Sequence, residues 1–260
     1  MLPGRGRVPA REARVIGRAL RTFLGVPVIA LAVIPFGLAI ALAGESERAE
    51  RFLRGWCRLV LFIAGARVVA RVHPLDRSRS YVFVANHTSN IDVPAIVSVS
   101  PEPLRFIAKQ ELGRIPLFGW AARRMGHVFI DRRDSHGAAK TIGERISRGL
   151  QGVGLFFFAE GTRSTTDDLL PFKKGAAVAA LGSGLDCVPI GIAGAREVLA
   201  PKGFSLFRPG PIAVVFGAPV PVAGHKMEDR DRLVAEQRKA VEACVREARE
   251  VLERERLRTT

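Results

Sequence analysis

His87 and Asp92 stand in the run Asn86-His87-Thr88-Ser89-Asn90-Ile91-Asp92, directly after the apolar stretch Tyr81–Ala85. A histidine beside a carboxylate is equipped for proton abstraction: the carboxylate accepts from one imidazole nitrogen and fixes the ring, and the other nitrogen takes the proton. On one regular helix of about 3.6 residues per turn, side chains at this spacing would stand about 140° apart, so a pairing requires one of them to lie outside the helix. The run therefore predicts His87 in a strand-to-helix loop and Asp92 in the first turn of the helix, capped by Ser89 or Asn90. There a carboxylate is favoured by the helix dipole and Pro94 is tolerated. Alone, the same spacing more often serves as a strand cap followed by a helix cap.

A second chemical run gives the first its weight. The apolar Phe156-Phe157-Phe158 leads into Ala159-Glu160-Gly161-Thr162-Arg163-Ser164, and an arginine on such a turn offers a phosphate a planar, permanently charged fork. Phe172-Lys173-Lys174-Gly175 suits anionic head groups or a donor's phosphates, and equally a solvated basic turn. No Gly-x-Ser-x-Gly elbow is present. Cys57, Cys187 and Cys244 are odd in number and far apart, with no CxxC and no histidine cluster, so neither a disulfide framework nor a metal site is expected and a reducing compartment fits best. His73, His127, His136 and His225 lack comparable partners and read as structural.

From about Arg67 onward, short apolar runs alternate with turns and helical stretches, the pattern of an α/β domain. Strands are expected at Val68–Val72, Tyr81–Ala85, His127–Ile130, Gly154–Phe158, Val188–Ile192 and Ile212–Phe216, and helices at Ser135–Gly149 and Phe172–Gly182. Met227–Arg258 spaces Val234, Val241, Val245, Ala248 and Leu252 as the apolar face of a closing amphipathic helix.

The N-terminus is of another kind. Residues 1–23 carry six arginines against Glu12, and Leu24–Ala43 then runs without a charge. Such a run is long enough to cross the roughly 30 Å hydrocarbon core of a bilayer, with Pro27 and Pro35 favouring a broken or re-entrant path. A cleaved signal peptide and a buried core helix are the alternatives, the first disfavoured by the length of the run and the second by its lack of charge. A mixed-charge connector, Glu45 to Arg54, precedes a shorter apolar piece, Leu59–Ala66, with Trp56 as an interfacial anchor. The domains expected are a basic segment 1–23, a membrane-associated helical hairpin 24–66 and a catalytic domain 67–260.

The chain resembles the glycerolipid acyltransferase family, which includes the 1-acylglycerol-3-phosphate acyltransferases. Its Asn-His-x4-Asp block appears as Asn86–Asp92, its Gly-x-x-Phe-Ile-Asp-Arg block as Gly126–Arg132, its Phe-Pro-Glu-Gly-Thr-Arg-Ser block as Phe158–Ser164 and its Val-Pro-Ile strand as Val188–Ile190. Lys109-x-Glu111-Leu112 and Ile115–Gly119 also match. Ala159 stands where the family has proline, which makes that turn less rigid.

The resemblance implies an α/β fold with a mixed sheet flanked by helices behind the membrane-associated hairpin, and catalysis without a covalent acyl-enzyme. His87, oriented by Asp92, would deprotonate the sn-2 hydroxyl of 1-acylglycerol-3-phosphate, which attacks an acyl thioester to give phosphatidic acid. It further implies that Lys109, Glu160, Gly161, Thr162 and Arg163 shape the lysophosphatidate site, with Arg132 supporting acceptor or donor. Lys109 as a solvated helix residue and Asp131–Arg132 as a surface pair remain open beside this.

The donor would be acyl-CoA or acyl carrier protein, with no metal or cofactor, at the cytoplasmic face of the inner membrane. Glycerol 3-phosphate, a lyso-ornithine lipid or another lysophospholipid are alternative acceptors for the same chemistry. The net charge of +15 is compatible with an anionic membrane, phosphorylated substrates or nucleic acid. A basic nucleic-acid-binding module would have no use for the uncharged run, and no aromatic-basic or zinc-finger signature supports one.

Overall fold

The computed structural model describes residues 10–131, 133–150, 152–166, 168–202 and 205–258. Two helices, α1 (Ala10–Ala43) and α2 (Glu47–Ala64), precede β1 (Ala66–Val72), β2 (Val82–Ala85), α3 (Asp92–Val99) and β3 (Leu104–Lys109). A 3-10 turn, Gln110–Arg114, leads to α4 (Phe118–Arg124), β4 (Val128–Ile130), α5 (Ser135–Ser147) and β5 (Gly154–Phe158). Then come α6 (Gly175–Ser183), β6 (Cys187–Ala193), α7 (Ala195–Val198), β7 (Gly210–Phe216) and α8 (Arg230–Leu257).

The strands form one seven-stranded sheet in the order β1-β7-β6-β2-β5-β3-β4. All neighbours are parallel except β6 and β7, so the sheet is mixed. The central strand β2 lies between β6 and β5, parallel to both, and crevices outside the carboxyl ends of such strands are where α/β sheets bind ligands. Alternation along β2 builds two cores: Phe83 and Ala85 pack with Ile91, Ala95, Phe156 and Leu61, while Val82 and Val84 pack with Leu155, Ala177, Leu233 and Val241 on the opposite face. Full burial of each large apolar side chain stabilises by about 1.5–3 kcal/mol.

Strand β3, absent from the expected set, is masked in sequence by Arg105. That side chain is buried and sits 2.6 Å from Glu50 of α2, so a charge occupies a position that periodicity would give to an apolar residue. Helix α4 was likewise not expected. Helix α6 starts at Gly175, so the Phe172–Lys174 portion of the expected helix lies outside it, with Lys174 as the N-cap, and the last helix begins at Arg230 after a 3-10 turn at Met227–Asp229.

The N-terminal pair differs from expectation in three ways. Helix α1 begins at Ala10, within the segment read as a basic leader, and continues through Pro27 and Pro35 as one helix rather than a broken path. The charged connector is the first half of α2: the Ser46 hydroxyl accepts from the Ala49 amide at 3.3 Å, and Glu47 and Glu50 sit in the first turn where the helix dipole favours them. Its charges reach into the sheet domain, with Glu45 on Arg145 at 3.0 Å, Glu50 on Arg105 and Arg54 on the carbonyls of Val97 and Ser100 at 3.1 and 3.0 Å. Arg124 holds the Ala41 carbonyl of α1 at 3.0 Å. Val15–Ala43 is long and apolar enough to cross a membrane by length and composition. Leu31 and Leu42 are 66% and 70% exposed, which excludes a buried core helix.

Between α3 and β3, Glu102 is buried, and neither carboxylate oxygen has a hydrogen-bond partner among the described residues. Burial raises its pKa from 4.5 to about 7, partly offset by Arg77. The folded state thus binds this proton more tightly than the unfolded chain, so the stability it confers is complete below pH 4.5 and is lost as pH rises through about 7. The thermal midpoint of the wild type should fall between about pH 5 and 8 relative to Glu102→Gln; parallel profiles for the two proteins would assign Glu102 no such role.

Candidate active site

His87 leaves the carboxyl end of β2 and Asp92 is the first residue of α3, with neither Ser89 nor Asn90 as its cap: Ile91 holds that position and offers no side-chain bond. Ser89 instead donates to the Leu199 carbonyl at 2.6 Å and accepts from the Ile91 amide at 3.3 Å. The Asp92 carboxylate, fully buried, turns back over the loop. Its Oδ2 accepts from the amides of Thr88 (2.6 Å) and Ser89 (2.8 Å) and lies 2.8 Å from His87 Nδ1. A carboxylate only accepts, so the hydrogen is assigned to Nδ1 and the Nε2 lone pair is left free.

Two further features hold the ring. The Phe158 side chain at the end of β5 stacks on the imidazole, centroids 3.7 Å apart and planes 14° apart. The Asn86 amide bonds both backbone groups of Ile192 on β6, donating at 3.1 Å and accepting at 2.9 Å. The histidine loop is therefore fastened to both neighbouring strands.

Glu160 supplies another fastening. One carboxylate oxygen accepts from the His87 amide at 2.8 Å and the other from the Leu170 amide at 2.9 Å. Burial raises its pKa, and the two amides pull it back down. The following glycine, Gly161, adopts φ +69, a conformation side chains rarely take. Ser164 donates its amide to the His87 carbonyl at 2.8 Å, which closes the loop against the histidine. Between these contacts Thr162 is exposed, and Arg163 is half-buried with no hydrogen-bond or ion-pair partner among the described residues.

His87 also lines an apolar cavity of about 260 Å³, bounded by Val33, Phe36 and Ile40 of α1, Val93 and Val97 of α3, Ala121 of α4 and Met125 at the end of that helix. His127 lines the same cavity but offers no second base. It accepts from the Phe106 amide at 3.1 Å, and burial lowers its pKa to about 3. Lys109 lies at the end of β3 rather than on a helix, on the cavity wall, exposed and 2.9 Å from Glu111. Asp131 pairs with Arg133; Arg132 lies outside the described residues. Burial pushes the Cys187 and Cys244 thiols up to about 12 and about 11, which suits core packing rather than nucleophilic attack.

The structure thus brings His87, Asp92, Glu160, Gly161 and Ser164 together, with Arg163 on the closing loop and Lys109 among the residues that line the cavity. Phe158, Asn86 and the amides of Thr88 and Ser89 were not assigned these contacts from sequence.

A histidine oriented by a buried carboxylate thus lines an apolar cavity on the carboxyl edge of a mixed α/β sheet. A family model described as Acyltransferase matches residues 60–193, and the chain belongs to that family. Among its relatives, the sheep 1-acyl-sn-glycerol-3-phosphate acyltransferase alpha is 31% identical over 209 residues, 80% of this chain and 72% of that protein. A Chlamydomonas reinhardtii protein described as a 1-acyl-sn-glycerol-3-phosphate acyltransferase is 28% identical over 200 residues, 76% of this chain but 60% of its own length. A chloroplastic relative from Brassica napus is matched over 40% of its length at 32% identity, so the chain spans less than two thirds of several curated relatives. The crystal structure of the 1-acyl-sn-glycerophosphate acyltransferase PlsC of Thermotoga maritima superposes with a TM-score of 0.71 at 26% identity, covering 89% of this chain and 97% of that one. Neither the family nor these relatives offer support to the non-enzymatic binding-module reading.

Proposed function

We propose that the protein transfers a fatty acyl group from a thioester, acyl-CoA or acyl carrier protein, to the sn-2 hydroxyl of 1-acylglycerol-3-phosphate, giving phosphatidic acid. The observation that carries this reading is the His87–Asp92 pair opening onto an apolar cavity. His87 Nε2 takes the hydroxyl proton as the oxygen bonds to the thioester carbonyl carbon. Collapse of the tetrahedral oxyanion breaks the carbon–sulfur bond, and the imidazolium returns the proton to the departing thiolate. Atoms and charges balance without a cofactor. The cavity takes an acyl chain, since burying each methylene is worth about 0.8 kcal/mol.

Arg163, whose guanidinium has no partner among the described residues, is the first candidate for the acceptor's phosphate, and Lys109 the second. Gly161 and Thr162 shape the loop that presents Arg163, and Arg132 is retained as a supporting contact to acceptor or donor. Glu160 acts as a positioning residue, because both of its oxygens are engaged by backbone amides. Glu160→Gln presents an NH₂ group to one of those amides, leaving a buried donor unpaired at a cost of about 1–3 kcal/mol. Lowered kcat together with a lowered thermal midpoint is expected; full activity at unchanged stability would release Glu160 from this role.

Relatives with this activity and a mostly exposed apolar α1 support a membrane-associated enzyme with its site on the cytoplasmic side, where thioester donors are found. On this reading the hairpin of α1 and α2 enters and leaves from one side, as the arginine-rich N-terminus favours. The native cysteines are all buried, so cysteines introduced at Arg5 and Lys140 are reported cleanly by an impermeant thiol reagent in sealed vesicles. Equal accessibility is expected, and opposite accessibility would exclude the hairpin.

The reading of the acceptor is tested by assaying lysophosphatidate, glycerol 3-phosphate, a lyso-ornithine lipid and an uncharged monoacylglycerol with both donor types. Preference for lysophosphatidate is expected, and a higher kcat/KM for any of the others reassigns the acceptor.

A further inference from the structure

The 3-10 turn and α4 carry a feature that acyl transfer itself does not require. Leu112, Ile115, Phe118 and Trp120 are 42%, 47%, 40% and 46% exposed and follow one another across the turn into the helix. Between them Leu117 is held at φ 59, the one non-glycine residue with positive φ among the described residues. Such a conformation in a branched residue persists where the surroundings fix it. Here the fixing surface is α1: a Cβ added at Gly37 would approach Leu117 Cγ to 3.0 Å, so the turn is seated directly on the helix. Leu117 points inward and its neighbours are displayed outward.

We propose that this turn is a second membrane-contacting element and the rim of a portal through which the lipid chain passes sideways from the bilayer into the cavity beside His87. The inference rests on the membrane reading of α1 and extends it to a different part of the chain. Three observations select an anionic bilayer as the occupant. The patch continues the exposed apolar surface of α1, where Ile34 and Leu38 flank Gly37. Arg114 and Arg123 stand exposed beside it and match anionic head groups, with Trp120 suited to the interface. Leu112 and Phe118 face both ways, exposed outside and lining the cavity within. A chain crossing there stays in apolar surroundings throughout.

The protein has two tryptophans, Trp56 and Trp120, so Trp56→Phe leaves Trp120 as the sole indole. With this variant, vesicles of phosphatidylglycerol and phosphatidylcholine carrying bromine on the acyl chains should lower the emission at least about twofold relative to unbrominated vesicles. Co-sedimentation is measured on the same samples. Protein that sediments without quenching overturns the second contact and leaves α1 as the anchor; protein that does not sediment overturns the membrane reading and this inference with it. For the portal, Ile115→Glu and Trp120→Glu should lower the rate on vesicle-embedded lysophosphatidate about tenfold, from the lost apolar burial. Their rate on a short-chain lysophosphatidate below its micelle threshold should be unchanged. Equal losses on both substrates would place the two residues in the catalytic fold and overturn the portal; so would a docked protein partner that protects Trp120 from quenching.

Discussion

Replacing His87 by alanine is expected to reduce turnover to background while the protein stays folded. The imidazole contributes the base and, through Phe158 stacking and the Asp92 bond, is held in one orientation. A positioned general base contributes about 10²–10⁴ in rate. Asp92→Asn is expected to lower kcat by a similar factor, because an amide can donate to the ring and favour the wrong tautomer, and it stabilises the imidazolium poorly. It carries a structural cost that His87→Ala does not: Asp92 Oδ2 also accepts from the Thr88 and Ser89 amides. Unfolding measured with kcat separates the two effects. A loss of kcat in His87→Ala at unchanged thermal midpoint fits the base, whereas near-wild-type turnover in either variant would end the pairing as the chemical centre.

Arg163→Ala is expected to lower kcat/KM for lysophosphatidate about ten- to a hundredfold, and for an uncharged monoacylglycerol hardly at all. A charge-assisted arginine–phosphate contact is worth about 1.5–3 kcal/mol, and a neutral acceptor never makes it. Arg163 makes no internal bond among the described residues that its removal would break, so the loop should survive. Lysine should restore part of the loss, since it supplies charge without the paired donors. Equal losses for both acceptors in a folded variant would move the phosphate elsewhere, with Lys109 on the cavity wall the next residue to test.

The His87–Asp92 pairing was legible in sequence because it is local: strand, loop and helix start lie within seven residues, and a helix of fixed pitch leaves few ways for the two side chains to meet. The central strands were legible for a similar reason, since Gly154–Phe158 is an uninterrupted apolar run. What escaped depends on partners far along the chain. Arg105 looks like a strand breaker until Glu50, from α2 and 55 residues earlier in the chain, is beside it. Glu160 looks like a ligand-facing acid until both oxygens are found on the amides of His87 and Leu170. The Glu45–Arg54 run looks like a linker because its charges are counted without the buried arginines that receive two of them. Two prolines within α1 likewise say where a helix is weakened, but not whether its packing carries it through.

The central claim is the formation of phosphatidic acid through His87. Purified protein in anionic vesicles, given 1-acylglycerol-3-phosphate and an isotope-labelled acyl thioester, should yield phosphatidic acid carrying the label at sn-2 by mass spectrometry, and His87→Ala should yield none. Failure of the folded wild type to make that product from either acyl-CoA or acyl carrier protein, or equal product from the alanine variant, would contradict the account.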